Sequence, residues 1–127
     1  MKSSDIIKNR SIISWLKTER IKNEKGDLIN FDQHPFLYDI YRDQSQNLTV
    51  MKGAQVGMST TSILKNHYDS LHRKMDIIYT LPTDKDVGVF VGGKVNRIIA
   101  NNISMLKDVA DKDSIEQKQV GKSMIYF

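Results

Sequence analysis

Leu48-Thr-Val-Met-Lys52-Gly53-Ala54-Gln55-Val56-Gly57-Met58-Ser59-Thr60-Thr61 decides how this chain is read. Four residues of strand type precede a loop with two glycines, and hydroxyl residues then open an amphipathic helix. That is the layout of a phosphate-binding loop. Against the pattern G-x-x-x-x-G-K-[ST], Gly57 is the second glycine and Ser59 the hydroxyl. The position of the usual lysine holds Met58, and that of the first glycine holds Lys52. The ammonium is displaced to the other end of the loop rather than lost. An ordinary strand-to-helix turn with a surface lysine accounts for the same letters, so the loop alone leaves both readings open.

A nucleoside triphosphate needs converging backbone N–H donors, a mobile cation and a hydroxyl for Mg²⁺. Gly53, Ala54, Gln55, Val56, Gly57, Met58 and Ser59 offer the N–H groups, because glycine lets the backbone turn and approach closely. The N-terminus of the helix beginning near Met58 adds partial positive charge. Ser59 is placed for the metal, Thr60 for a phosphate oxygen, and Lys52 for the terminal phosphate. Lys52 is the candidate catalytic residue. The expected cofactors are ATP and Mg²⁺.

Lys52 to Thr60 resembles the deviant Walker A loop of the large terminase subunits of tailed phages, in which the basic residue is moved forward. Phe31-Asp-Gln-His-Pro35-Phe36-Leu37-Tyr38 is similar to that family's adenine-proximal segment. Ile77-Ile-Tyr-Thr-Leu81-Pro82-Thr83-Asp84 resembles its second strand, and Val120 to Phe127 the strand before its catalytic carboxylates. The resemblance covers about residues 12–127. It implies the ATP-binding part of a motor that translocates double-stranded DNA into a procapsid. The implied partners are DNA, a small terminase subunit, a portal protein and further copies of the chain, in the cytoplasm of a bacterial host. It further implies base contacts from Gln33 and Tyr38.

The coarse reading along the chain is mixed α/β. It predicts a helix over Ser11–Arg20 with Ile12, Trp15 and Leu16 inward and Ser11 as its cap. Asn23–Asn30, with Gly26, reads as a polar hairpin tip. His34–Asp43 reads as a helix with Phe36, Leu37, Ile40 and Tyr41 as its stripe. Leu48–Met51 is the expected first core strand and Ser59–His72 the helix after the loop, with Ile63, Leu64, His67, Tyr68 and Leu71 inward. Asp76–Leu81 is the second strand. Thr83-Asp84-Lys85-Asp86 reads as a capping box for a helix to about Asn101, weakened or bent at Gly92-Gly93. Ile103–Val109 reads as a short helix, and Ser114–Val120 and Lys122–Phe127 as strands joined at Gly121. The unit Leu48 to Leu81 implies a parallel pair with a right-handed crossover. The loop would then sit at a strand's carboxyl end, where open α/β sheets bind ligands.

The expected organisation is a helical and turn segment at 1–30, then the first part of a P-loop ATPase domain at 31–127. That domain's sheet is expected to be incomplete, with parallel strands and flanking helices, and to stop before the strand that carries the catalytic Asp-Glu. No apolar strand here ends in that pair, so the isolated chain is expected to be a fragment without hydrolysis of its own. Two other readings stay open: a non-catalytic binding or assembly module with a degenerate loop, and a helicase-like ATPase fragment.

The net charge of +4, from 19 basic and 15 acidic residues, permits a polyanionic partner without demanding one. Cysteine is absent, so there is neither a disulfide frame nor a thiolate site. No apolar run reaches the length of a membrane span. His34, His67 and His72 lack metal-ligand spacing; His67 and Trp15 read as core. Phe36 reads as a core anchor in preference to a base stack. Asp84 and Asp86 read as capping residues. Arg42, Arg73 and Arg97 fit either phosphate contacts or a solvated face.

Overall fold

The computed structural model describes residues 11–54 and 56–127, the side chains of 110–113 apart. The N-terminal part of the expected 1–30 segment and Gln55 of the loop therefore lie outside the described residues.

Helix α1 spans Ile12–Thr18. Ser11 caps it as expected, its hydroxyl accepting from the Ser14 N–H at 3.2 Å. Ile12, Ile13, Trp15 and Leu16 are buried. Arg20 then takes a left-handed backbone (φ 50°), and the next residue, Ile21, is fully buried. The polar tip follows as predicted. Lys22 and Leu28 form an isolated antiparallel bridge, Gly26 turns with φ 88°, and Asn23 Oδ1 accepts from the N–H groups of Lys25 and Asp27.

Helix α2 is shorter than predicted, Leu37–Arg42. Leu37 and Tyr41 face inward, but Phe36 precedes the first turn and is 47% exposed, so it is no core anchor. Helix α3 spans Met58–His72 and buries Ile63, Leu64, His67 and Tyr68 as expected; Leu71 is only half-buried. The Lys65 ammonium ties it to α2, donating to the carbonyls of Ile40 and Asp43 at 2.8 and 2.9 Å. Carbonyls at a helix end have no partner within the helix, and a cation there supplies one.

Strand β1 is only Ile77–Ile78. Thr83 caps α4 (Asp84–Phe90), accepting from the Asp86 N–H at 3.1 Å and donating to Asp86 Oδ2 at 2.9 Å. The expected weakness at Gly92-Gly93 takes a definite form. Val91–Val95 is a π-helical turn, and the helix resumes as α5 (Asn96–Asn101). Wider turns of this kind sit inside α-helices as single interruptions. Helix α6 (Ile103–Asp108) leads into β2 (Val109–Asp113), a strand the sequence reading missed. Strands β3 (Gln117–Val120) and β4 (Ser123–Tyr126) form the predicted hairpin, with Gly121 at φ 59° in the turn.

The sheet runs β1-β4-β3-β2. β2, β3 and β4 are antiparallel neighbours, and β1 joins β4 in parallel through Ile77↔Ile125 and Ile78↔Tyr126. The fold is mixed α/β, but the sheet is mixed rather than parallel. Leu48–Met51 forms no strand, so the predicted parallel pair and crossover are absent. A strand exists only through its ladder, and this segment has no ladder partner among the described residues. Leu48 and Met51 face solvent accordingly, Met51 being 99% exposed.

The core lies between the helices and one face of the sheet, around Trp15, Ile21, Leu64, Val91, Ile98 and Met105. Trp15 stacks on His67 with ring centres 5.9 Å apart, tilts against Tyr68 and meets His72 edge-on. His67 is the satisfied core histidine expected, with Nε2 at 3.2 Å from Asp108 Oδ2. Burial pulls the neighbouring His72 below the ordinary histidine range, with the Tyr68 carbonyl and Asp108 opposing. A lowered folded-state pKa means that the unfolded chain binds the proton more readily. The stability from neutral His72 is thus complete above about pH 6.5, the ordinary histidine value, and is lost as pH falls through the folded value. Melting temperature should fall between neutral and mildly acidic pH, and His72→Gln should flatten that slope. An unchanged slope in the variant would contradict the assignment.

Candidate functional site

Gly57 is the hinge on which the loop turns into α3. Its φ of 83° is left-handed, and a Cβ there would lie 3.1 Å from Leu37 Cδ1. Glycine is therefore required twice, for conformation and for space. Gly53 carries no such demand: its φ is not positive and an added Cβ would meet open space. Gly57→Ala should cost about 1–2 kcal/mol from the backbone alone, measured by urea unfolding, whereas Gly53→Ala should be near neutral. Equal stability of the two variants would contradict this division of labour.

The contact of Gly57 with Leu37 also brings the start of α2 beside the loop. Gln33 is exposed, and Tyr38 packs edge-on against Phe31 at 5.4 Å with the Arg42 guanidinium 5.3 Å above its ring.

Among the described residues, no acceptor takes the N–H groups of Gly53, Ala54, Val56, Gly57, Met58, Ser59 and Thr60. The first bond into the helix is Thr61 N–H to the Gly57 carbonyl at 3.0 Å, and the Thr61 hydroxyl reaches the same carbonyl at 2.8 Å. The loop and the first turn therefore present a run of free donors at the positive end of a 15-residue helix. Lys52 is exposed and bends back along the loop, its Nζ 3.4 Å from the Gly53 carbonyl. Met58 packs against the core instead of projecting from the loop. Lys52, unlike Met58, is therefore open to solvent at this loop.

Ser59 is half-buried in the first turn and has no side-chain partner among the described residues. Its hydroxyl fits the role of a Mg²⁺ ligand beside phosphate oxygens. No cluster of three or more His, Cys, Asp or Glu suited to a metal occurs among the described residues. Thr60 departs from expectation. Its hydroxyl does not face open space but donates to Glu24 Oε2 at 2.9 Å. Sequence reasoning missed Glu24, because it lies 36 residues away in the hairpin tip and carries no local signal. The same carboxylate lies near the Tyr41 hydroxyl. Burial, and then Glu24, push that hydroxyl up to about 12, with Thr61 opposing.

The other residues singled out have plain structural roles. Asp86 belongs to the cap of α4, Arg73 pairs with Asp69 at 3.5 Å, and Arg97 is exposed. A larger cavity of about 640 Å³ lies elsewhere, walled by Trp15, Arg20, His72, Ser104, Lys107 and Asp108 among others. It lies at the C-terminal ends of α1 and α3 and the N-terminal end of α6, and its wall carries both cations and carboxylates. No helix among the described residues is long and apolar enough to cross a membrane.

No family model matches the sequence, and no curated protein or solved structure matches it either.

Proposed function

We propose that this chain binds the phosphates of ATP at Lys52–Thr60, as the nucleotide-binding part of a DNA-packaging motor of the large-terminase type. One observation supports the first half of this reading: among the described residues no acceptor takes the N–H groups of Gly53, Ala54 and Val56 to Thr60, beside left-handed Gly57 and Lys52. In this reading the N–H groups hold the β- and γ-phosphate oxygens, Lys52 neutralises the terminal phosphate, and Ser59 meets Mg²⁺. When bound, the metal supplies charge neutralisation between the phosphates. In this reading Gln33 and Tyr38 contact the base.

The motor role rests on the resemblance of the loop and its flanking segments to the terminase family. With it come the proposed partners: double-stranded DNA, a small terminase subunit, a portal protein and further copies of the chain, in the host cytoplasm. The net charge of +4 is compatible with a DNA partner.

A second reading has its own support. Leu48–Met51 joins no sheet, so the loop is not braced by a strand as a nucleotide motor's loop needs to be. That favours a binding or assembly module without turnover. Calorimetric titration with MgATP separates the two. The first reading predicts saturable, Mg²⁺-dependent binding. Heat changes indistinguishable from dilution with MgATP and with pyrophosphate would favour the second.

A further inference from the structure

We propose that Glu24 is a built-in competitor of the ligand at this loop, holding the first turn of α3 in an anion-occupied state until phosphate displaces it. The inference rests on the phosphate-binding reading of the loop and adds its regulation.

Three observations converge. The Thr60 hydroxyl, in the third residue of α3, donates to the Glu24 carboxylate at 2.9 Å. A carboxylate beside the first turn of a helix is attracted by the free N–H groups, as a phosphate is. Among the described residues no cation pairs with Glu24. The hairpin that carries it is fastened from behind. Asn101 Nδ2 donates to the carbonyls of Asn23 and Glu24 at 3.1 and 3.2 Å. Asn102 accepts from the Lys22 N–H at 2.7 Å and donates to the Lys22 carbonyl at 2.8 Å.

The consequence is electrostatic. A phosphate on the same turn would face a carboxylate that already uses one of its hydroxyl donors. Like charges at such a distance disfavour each other. The phosphate binds only as Glu24 swings away, and the clamped backbone leaves side-chain rotation as the cheapest movement. Because Asn101 and Asn102 belong to the end of the α4–π–α5 helix, a shift of that helix would move the carboxylate. The loop's affinity is thereby linked to a distant element of the fold.

The test is pyrophosphate and MgATP binding by the full chain and by Glu24→Gln. Glutamine keeps an acceptor for Thr60 but removes the charge. The expected result is binding roughly tenfold tighter in the variant, equivalent to about 1.4 kcal/mol, with an unchanged melting temperature. Equal or weaker binding in Glu24→Gln would overturn the proposal; weaker binding only with Mg²⁺ would make Glu24 a metal ligand instead. Binding by neither protein would sink the phosphate reading itself, and the competitor with it. Should the variant not fold, the wild-type protein answers alone. Pyrophosphate should shift the Glu24 side-chain carboxyl NMR signal, and a carboxyl signal unmoved at saturation would refute displacement.

Discussion

Trp15→Ala is expected to cost about 3–5 kcal/mol, a large share of the roughly 5–15 kcal/mol that stabilises a domain. Trp15 is 2% exposed and is the ring on which three others lean, those of His67, Tyr68 and His72. Its loss opens a void between α1 and α3 that rigid neighbours cannot fill. It also takes cover from His67, which is buried and pairs with half-buried Asp108. Urea unfolding followed by far-UV circular dichroism should show a midpoint far below wild type for the alanine variant and an intermediate one for Trp15→Phe. A midpoint within error of wild type would show that α1 is not part of the core.

Lys52→Ala is expected to weaken MgATP binding by about 10- to 150-fold, the equivalent of a charge-assisted contact worth ~1.5–3 kcal/mol. Met58→Ala should leave affinity nearly unchanged. Its cost should appear in stability, because Met58 packs against the core. The two variants thus exchange effects between two assays, calorimetry and thermal melting. Equal affinity of wild type and Lys52→Ala would remove the displaced ammonium from the site.

What the sequence revealed was local. The Ser11 and Thr83 caps, the Gly26 turn, the inward stripe of α3 and the interruption at Gly92-Gly93 are each written within a few neighbouring residues. What it did not reveal depends on distant partners. Leu48–Met51 has the composition of a strand, but pairing is decided elsewhere, and β1 pairs in parallel with β4 across Ile77↔Ile125. Strand β2 follows α6 without a break, and no turn signal marked the change. Phe36 fitted the i, i+4 stripe with Ile40, yet α2 begins one residue later, so its ring falls outside the helical face. At the candidate site, a glycine turn into the helix was legible from the loop, but not that Gly57 rather than Gly53 needs it. The Glu24 carboxylate on Thr60 was not, since only the folded hairpin brings it there.

The central claim is that phosphate oxygens are held by the backbone of this loop. The direct measurement is backbone amide chemical-shift mapping during titration with MgATP. The largest shifts should fall on Gly53, Ala54 and Val56 to Thr60, with smaller ones from Gln33 to Tyr38. Shifts that saturate elsewhere while sparing residues 53–60 would contradict the account.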